Sequence, residues 1–358
     1  MKRPIVVIKL GSSSLIRDGY IDADFIHRLA NIVDSVSVGH NVIIVSSGAV
    51  AIGRARYGDT KLEKQAASSL WQPYLMQEYQ RVFEQHKRFV AQVLITRKDI
   101  MNKEGYLNAR SAFISLLSNN IIPIVNENDT VAIDELKFGD NDTLSAYVAS
   151  MMDAQKLIIV TDIDGLYDDN PHKNPMAKII PVVKDISSVE KYAGGAGSSV
   201  GTGGMHTKIE AAKICANSGV EMSIFSKSNF LDINTDSLKC SAGTVFVPAV
   251  STLEHRKKII AYAKNIAGIV YIDDGAYSAL VHKGSSLLAV GVKDVKGEFS
   301  RGDSVSVLCG DKEVARGLVS FDNSEIAKIK GAKTSQITQI LGYDSADEVI
   351  HRDNLVLL

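Results

Sequence analysis

Cysteine is scarce in this chain of 358 residues: Cys215, Cys240 and Cys309 stand far apart and are odd in number. That pattern fits neither a disulfide framework nor a zinc cluster, and it points to a reducing compartment, with the cytoplasm as the expected location. An excess of charge of either sign is also missing, since 40 basic residues face 41 acidic ones for a net charge of -1. No long-range field therefore draws in nucleic acid or an anionic membrane, and any anion has to be held by local groups. Long hydrophobic runs are absent too. The apolar part of the opening "MKRPIVVIKLGSSS" is too short for a secretory leader and runs into a glycine turn, and nothing later is expected to span a membrane.

What the chain does have is apolar substance, 45% of it, at a length that favours two domains with real cores. Residues 5–10, 42–45, 93–95, 121–125 and 157–160 are short, mostly β-branched runs with little polar alternation, the signature of parallel strands buried on both faces. Stretches of helical spacing lie between them, among them "DADFIHRLANIVDSV" and "GYLNARSAFISLLSNN". The β-α-β-α order predicts an α/β fold, an open αβα sandwich around a mainly parallel sheet, over residues 1–248. Val131 to Phe138 alternates in an antiparallel style and predicts a hairpin. Residues 249–264, including "TLEHRKKIIAYAK", read as a linker. The remainder, 265–358, is rich in short valine and isoleucine strands between turns such as "DDG" and "RGD", which predicts a small β-rich domain. That tail carries ten Lys or Arg against thirteen Asp or Glu.

The candidate chemistry gathers where strands end. In "VVIKLGSSS", Lys9 closes an apolar strand and the following turn leaves N–H groups free to cradle an anion, the place where open α/β sheets bind ligands. A lysine ending an edge strand in solvent, followed by a serine-capped helix, would leave the same letters. "VSSGAVAIG" repeats the theme, with Ser46, Ser47, Gly48 and Ala49 after the second strand, and again an ordinary capped helix start is the plainer alternative. "GTGGMHTK" is a third glycine turn, residues Thr202, Gly203, Gly204, Met205, His206, Thr207 and Lys208 following Gly201. It is neither a Walker A loop nor a GxGxxG fingerprint, and a flexible loop with a surface lysine is its plainer reading. "TDIDGLYDDNP" places Thr161 and Asp162 at another strand end, while its spacing fails the calcium-loop pattern and makes Asp164 and Gly165 turn formers. Two acid-amide clusters, "NENDT" and "FGDNDTLSA", complete the set. The second reads as a cation loop, a helix cap or a substrate site.

No Ser-His-Asp set and no His/Cys metal cluster is apparent, and the eight histidines are scattered. Phosphoryl transfer fits best, because it needs chiefly positioned cations and amides around a migrating γ-phosphate. An acceptor carboxylate, with a pKa of about 4.3 for glutamate, is ionised at neutral pH and would need no general base.

These segments, with "YLNAR" and "IPIVNENDTV", occur in the order and approximate spacing of the glutamate 5-kinase family, of the amino-acid kinase fold, which the chain resembles over nearly its whole length. The tail "GSSLLAVGVKDVKGEFSRGD" resembles a PUA domain. The resemblance implies transfer of the ATP γ-phosphate to the side-chain carboxylate of L-glutamate, the first step of proline biosynthesis. By motif, Lys9 and Lys208 would neutralise the phosphoryl group and Asp162 would organise them, with Asp142 supporting catalysis or glutamate binding. Ser47, Gly48, Ala49, Asp129 and Asn141 would hold glutamate, Asp129 through its ammonium group. Lys9, Thr161, Asp162 and residues 202–208 would line the ATP site, and Mg2+ would arrive with ATP without a protein ligand set.

The family also implies a homodimer or homotetramer, feedback inhibition by proline, and a glutamyl phosphate reductase as partner. One departure stands out: where the family has small residues ending in Gly-Gln, this chain reads "AASSLWQ", with Trp71 in the glycine's place, so local packing or an oligomer contact is expected to differ. Two other readings are a sister kinase acting on acetylglutamate or aspartate, and an RNA-binding or regulatory protein led by the tail domain. The balanced charge and acidic tail oppose the last, because RNA affinity rests largely on phosphate neutralisation by Lys and Arg.

Overall fold

The structure, a computed structural model, describes residues 3–48, 63–101, 103–132, 140–171, 173–193, 204–248, 266–343 and 345–357. The chain divides into two compact units, Met1–Thr252 and Leu253–Leu358. The linker expected at 249–264 and nearly all of the expected hairpin at 131–138 lie outside the described residues.

In the first unit the strands are β1 (Ile5–Leu10), β2 (Ile16–Arg17), β3 (Tyr20–Ile21), β4 (Asn41–Val45), β5 (Val90–Ile95), β6 (Ile122–Glu127), β7 (Lys156–Thr161), β8 (Val182–Val183), β9 (Glu221–Ser226) and β10 (Thr244–Phe246). The helices are α1 (Ser12–Leu15), α2 (Ala23–Val36), α3 (Lys64–Gln85), α4 (Arg97–Met101), α5 (Lys103–Ser118), α6 (Asn141–Met151), α7 (Met205–Asn217) and α8 (Lys227–Leu231). Eight strands form one sheet in the order β5-β6-β4-β1-β7-β9-β10-β8. From β5 to β9 every pairing is parallel, and β10 runs antiparallel to β9.

The continuous apolar runs become the central strands: β1, β6 and β7 are buried at every position. β5 differs from expectation. It is longer than the predicted 93–95 and only partly covered, because it forms the edge of the sheet and its side chains alternate between cover and water. Helices cover both faces. On one, Phe25, Ile26, Leu29, Ala30 and Val33 of α2 recur at helical spacing and pack with Leu75, Tyr79 and Phe83 of α3 against Val6, Ile8 and Leu10. On the other, Leu144 and Val148 of α6 and Ile209 and Ala212 of α7 pack against Ile5 and Val7.

The period of two along β1 fixes the position of Lys9. It shares the face of Ile5 and Val7, so its side chain rises beneath the beginnings of α6 and α7. The parallel arrangement does the rest: the carboxyl ends of β6, β4, β1, β7 and β9 all open on one rim of the sheet, in that order.

The second unit is a five-stranded sheet, β12-β11-β13-β14-β15, built from β11 (Gly268–Ile272), β12 (Val292–Gly297), β13 (Ser304–Cys309), β14 (Lys312–Leu318) and β15 (Leu355–Leu357). It is accompanied by α9 (Asp274–Lys283), α10 (Asn323–Ile329) and α11 (Thr334–Leu341) and has its own core around Val270, Val305, Val307 and Phe321.

Candidate functional site

Three elements deliver one charged group each to the same spot. Lys9 comes from the end of β1, Asp142 from the first turn of α6 and Lys208 from the first turn of α7. The Asp142 side chain is 0% exposed, and its carboxylate lies between the two ammonium groups. Oδ1 is in contact with Nζ of Lys9, and Oδ2 accepts from Nζ of Lys208 at 3.1 Å. The Thr207 hydroxyl lies 3.1 Å from the same Oδ2 and 2.8 Å from the Gly204 carbonyl. Burial by itself would raise the Asp142 pKa, but Lys9 and Lys208 overcome it and hold this carboxyl well below the ordinary carboxylate range. For Lys9, burial pulls downward, and the carboxylates of Asp142 and Asp140 outweigh it, so its ammonium is held above 10.5. Lys9 is thus retained as a cation inside the protein.

α6 starts here for a local reason. Asp140 is its N-cap, with extended backbone and a side chain that accepts from the Asp142 N–H. Its own carboxyl is pushed upward by burial and by the neighbouring charge of Asp142. Of the three readings open for "FGDNDTLSA", capping therefore falls to Asp140, while Asp142, two residues on, turns to the lysines. The resemblance gave the organising role to Asp162. The structure places Asp142 between the lysines, while the Asp162 carboxylate accepts from the Thr161 hydroxyl at 3.0 Å and adds a smaller attraction on Lys9. The reason is phase: Asp162 follows the end of β7 on the rim, whereas Asp142 enters from the helix packed over Lys9.

Beside this group lies a relay of amides that sequence reading missed. The Glu127 N–H donates to Asn126 Oδ1 at 2.9 Å, which fixes the orientation of that amide. Asn126 Nδ2 then donates to Gln72 Oε1 at 2.8 Å. Asn141 Nδ2 faces three acceptors, Ser46 O at 2.7 Å, Asn126 Oδ1 at 2.8 Å and Ser47 Oγ at 3.0 Å. Both hydrogens of the Asn141 amide are consumed within the protein, so what it has left to offer a ligand is its carbonyl oxygen. Asp129, buried just beyond β6, accepts from the Ser68 hydroxyl at 3.1 Å. Ser68 and Gln72 are one turn apart on α3, so a single helix face supports both Asp129 and the relay. Trp71 sits on that helix edge-on to Tyr74, with ring centroids 5.6 Å apart. Gly48, which ends the described turn after β4, has φ of 104°, a backbone state that favours glycine.

On the other side of β1 the rim opens into a cleft of about 470 Å³ lined by Thr161, Asp162, Ser226, Lys227, Ser228 and their neighbours. Gly11 lies against this edge: its N–H donates to the Val160 carbonyl at 3.0 Å, and a Cβ there would come within 3.2 Å of that oxygen. At the start of α7, Gly204 is the N-cap and makes no side-chain cap bond. The expected site residues Ala49, Thr202 and Gly203 lie outside the described residues. Met205 and His206 open α7, and neither enters the charged group around Asp142. Among the described residues no group of three His, Cys, Asp or Glu could hold a metal ion, and no helix is long and apolar enough to cross a membrane.

The family model described as "Amino acid kinase family" matches residues 4–226, and the model "PUA domain" matches 268–341. The chain is 47% identical to a glutamate 5-kinase of Trichlorobacter lovleyi, covering 99% of this chain and 96% of that one. It is 45% identical to a glutamate 5-kinase of Pelobacter propionicus, covering 99% and 97%. Among solved structures, a carbamate kinase from Giardia lamblia bound to AMP-PNP superposes with a TM-score of 0.52 at 15% identity, over 69% of this chain and 99% of that one, a likeness of fold alone.

Proposed function

The chain belongs to the amino acid kinase family and, within it, to the glutamate 5-kinases, and from that premise we propose that Lys9, Asp142 and Lys208 form its phosphoryl-transfer centre. The enzyme phosphorylates the side-chain carboxylate of L-glutamate with ATP, giving L-glutamyl 5-phosphate for proline biosynthesis. The observation that carries the site reading is the wholly buried Asp142 holding two ammonium groups from different elements. In that arrangement the cations are fixed before the substrates arrive.

The acceptor carboxylate is ionised at neutral pH and attacks the γ-phosphorus directly. The bond to the bridging oxygen breaks, and ADP leaves with its electron pair. No proton has to move, so no general base is needed. Lys9 and Lys208 neutralise oxygens of the phosphoryl group in flight, and Asp142 keeps their separation. Glutamate is held by Asp129, Asn141, Ser47, Gly48 and Ala49. The exhausted N–H capacity of Asn141 supports this, since its free carbonyl and the Asp129 carboxylate together suit an α-ammonium group. The nucleotide takes the cleft beyond β7, against Thr161, Asp162 and residues 202–208. We take Mg2+ to enter on the phosphates, which with water would supply its ligands.

We assign the catalytic unit to residues 1–248 and the PUA-like unit to 265–358, with a linker between them. We further take the enzyme to be a cytoplasmic homodimer or homotetramer, inhibited by proline at the glutamate pocket, with a glutamyl phosphate reductase consuming its labile product.

The test pairs two measurements. Hydroxylamine traps acyl phosphates, and the trapped signal is expected with glutamate and not with acetylglutamate or aspartate; the reverse would refute the acceptor. Lys208→Ala is expected to lower kcat about a thousandfold while leaving the glutamate KM within a few-fold, because its charge acts on the transition state. A loss confined to the glutamate KM would show the lysine to be misplaced.

A further inference from the structure

Lys227 opens α8 directly after β9 and has no part in the scheme above. Its ammonium donates to the Ser14 carbonyl and to Asp22 Oδ2, each at 2.8 Å, and lies 4.5 Å from the centroid of the Phe25 ring. Asp22 in turn caps α2 by accepting from the Phe25 N–H at 3.0 Å. Both partners belong to the segment that leaves β1, whereas Lys227 leaves β9, and β7 runs between those strands. Neighbouring strands lie about 4.8 Å apart, so the contact spans two strand spacings, roughly 10 Å of sheet rim. The same residue forms part of the wall of the 470 Å³ cleft, beside Thr161, Asp162 and Ser226.

A lysine that merely stabilised the fold would have no reason to bridge these particular places. One end of the contact is the turn after Lys9 and Gly11, and the other is the far lip of the cleft. The side chain is 31% exposed, against 10% for Asp22, so the ion pair is set in the cleft wall rather than sealed in the core. An ammonium has three hydrogens to give, and two go to Ser14 and Asp22.

We propose that Lys227 is a positioning residue of the nucleotide half of the site, clamping the Gly11–Leu15 segment to the strand ends that frame the cleft. This rests on the assignment of that cleft to the nucleotide. With the clamp in place, the phosphates meet a wall already set at the spacing of β1, β7 and β9. Without it, the turn loses its direct ion pair to the far lip, and part of the nucleotide's binding energy goes into ordering them.

The test uses the full-length enzyme and the variants Lys227→Met, Lys227→Arg and Asp22→Asn, with Lys208→Ala as reference. Methionine keeps an unbranched chain over Phe25 and removes the charge. Initial rates with ATP and glutamate varied separately are expected to show Lys227→Met raising the ATP KM about tenfold. The glutamate KM should stay within twofold and kcat within threefold, a loss of binding shared by ground and transition states. Lys227→Arg should recover the ATP KM to within threefold of wild type, and calorimetric titration with ADP should report the same order of affinities. Asp22→Asn, which loosens the ammonium without removing it, should raise the ATP KM about threefold, and it decides the matter if Lys227→Met does not fold. An unchanged ATP KM, or an equal rise in both KM values at unchanged melting temperature, would overturn the proposal. If Lys208→Ala kept its turnover, the underlying site assignment would fall instead, whatever Lys227 did.

Discussion

Replacing Asp142 by Asn removes one charge and almost no volume, and leaves two buried ammonium groups around a neutral amide. Two routes give the size of the effect. Breaking a buried ion pair by removing one partner typically costs about 3–5 kcal/mol. Alternatively, a lysine can give up its proton. At pH 7 a group with the ordinary pKa of 10.5 lies roughly 3.5 units from neutrality, at about 1.4 kcal/mol each, so this exit costs at most about 5 kcal/mol. The agreement sets the expected loss. For a unit of this size 1 kcal/mol corresponds to roughly 2–4 °C, so the melting temperature of Asp142→Asn should fall by about 6–20 °C, followed by circular dichroism.

The pH dependence gives a sharper readout. In the wild type the Asp142 pKa lies below its unfolded value. Its contribution is therefore complete above 3.8 and is lost as pH falls through the depressed value, in strong acid. The Lys9 pKa lies above its unfolded value, so its contribution is complete below 10.5 and is lost only at higher pH. Between pH 7 and 10 neither contributes a slope. In Asp142→Asn, burial with less compensation depresses Lys9, the unfolded chain then binds more protons, and stability should rise with pH over that window. Turnover should fall at least a hundredfold, as expected for misplaced reacting partners. A melting temperature lowered by less than 2 °C, or a pH slope equal to that of the wild type, would refute the reasoning.

Other perturbations are simpler. Asn126→Ala removes the acceptor that orients Asn141, and should raise the glutamate KM about tenfold or more with the ATP KM unchanged, measured by initial rates. Gly165→Ala would bring a Cβ within 2.6 Å of the Thr244 hydroxyl, which also receives the Leu166 N–H and donates to the Ile180 carbonyl, so about 1–3 kcal/mol should be lost in urea unfolding. Burial pushes the Cys215 thiol far up and the Cys240 thiol up to about 12. Neither should react with a disulfide reagent at pH 8 until the chain unfolds, and fast reaction of Cys215 in the native protein would contradict its place in the core.

How much of this was legible depended on how local each signal was. β1 could be read with its ends at Ile5 and Leu10 because every position is apolar except Lys9. β5 was shortened because an edge strand does not keep an unbroken apolar run, and Gln92 interrupts it. The strand-end rule brought Lys9, Ser47, Thr161 and Asp162 to one rim, but it could not say which carboxylate stands over Lys9. That depends on how α6 packs across the sheet, a contact between residues more than a hundred positions apart. Gln72 and Ser68 went unread although their spacing of four was visible, since nothing local says what an exposed-looking helix face will meet. Lys227 carried a related but weaker mark, a lysine directly after a strand end.

The countercharge at this site is part of the chain rather than borrowed from the solution. Two lysines and the carboxylates of Asp142 and Asp140, each at least nine-tenths buried, are enclosed where mobile ions do not reach. Salt screens charges that face water across about 8–10 Å at ordinary ionic strength, and screens enclosed ones far less. Such a centre does not attract its substrates from a distance; it acts on an anion only after that anion has shed its water at the rim. An enzyme built this way holds its chemistry steady while the ionic strength around it rises and falls.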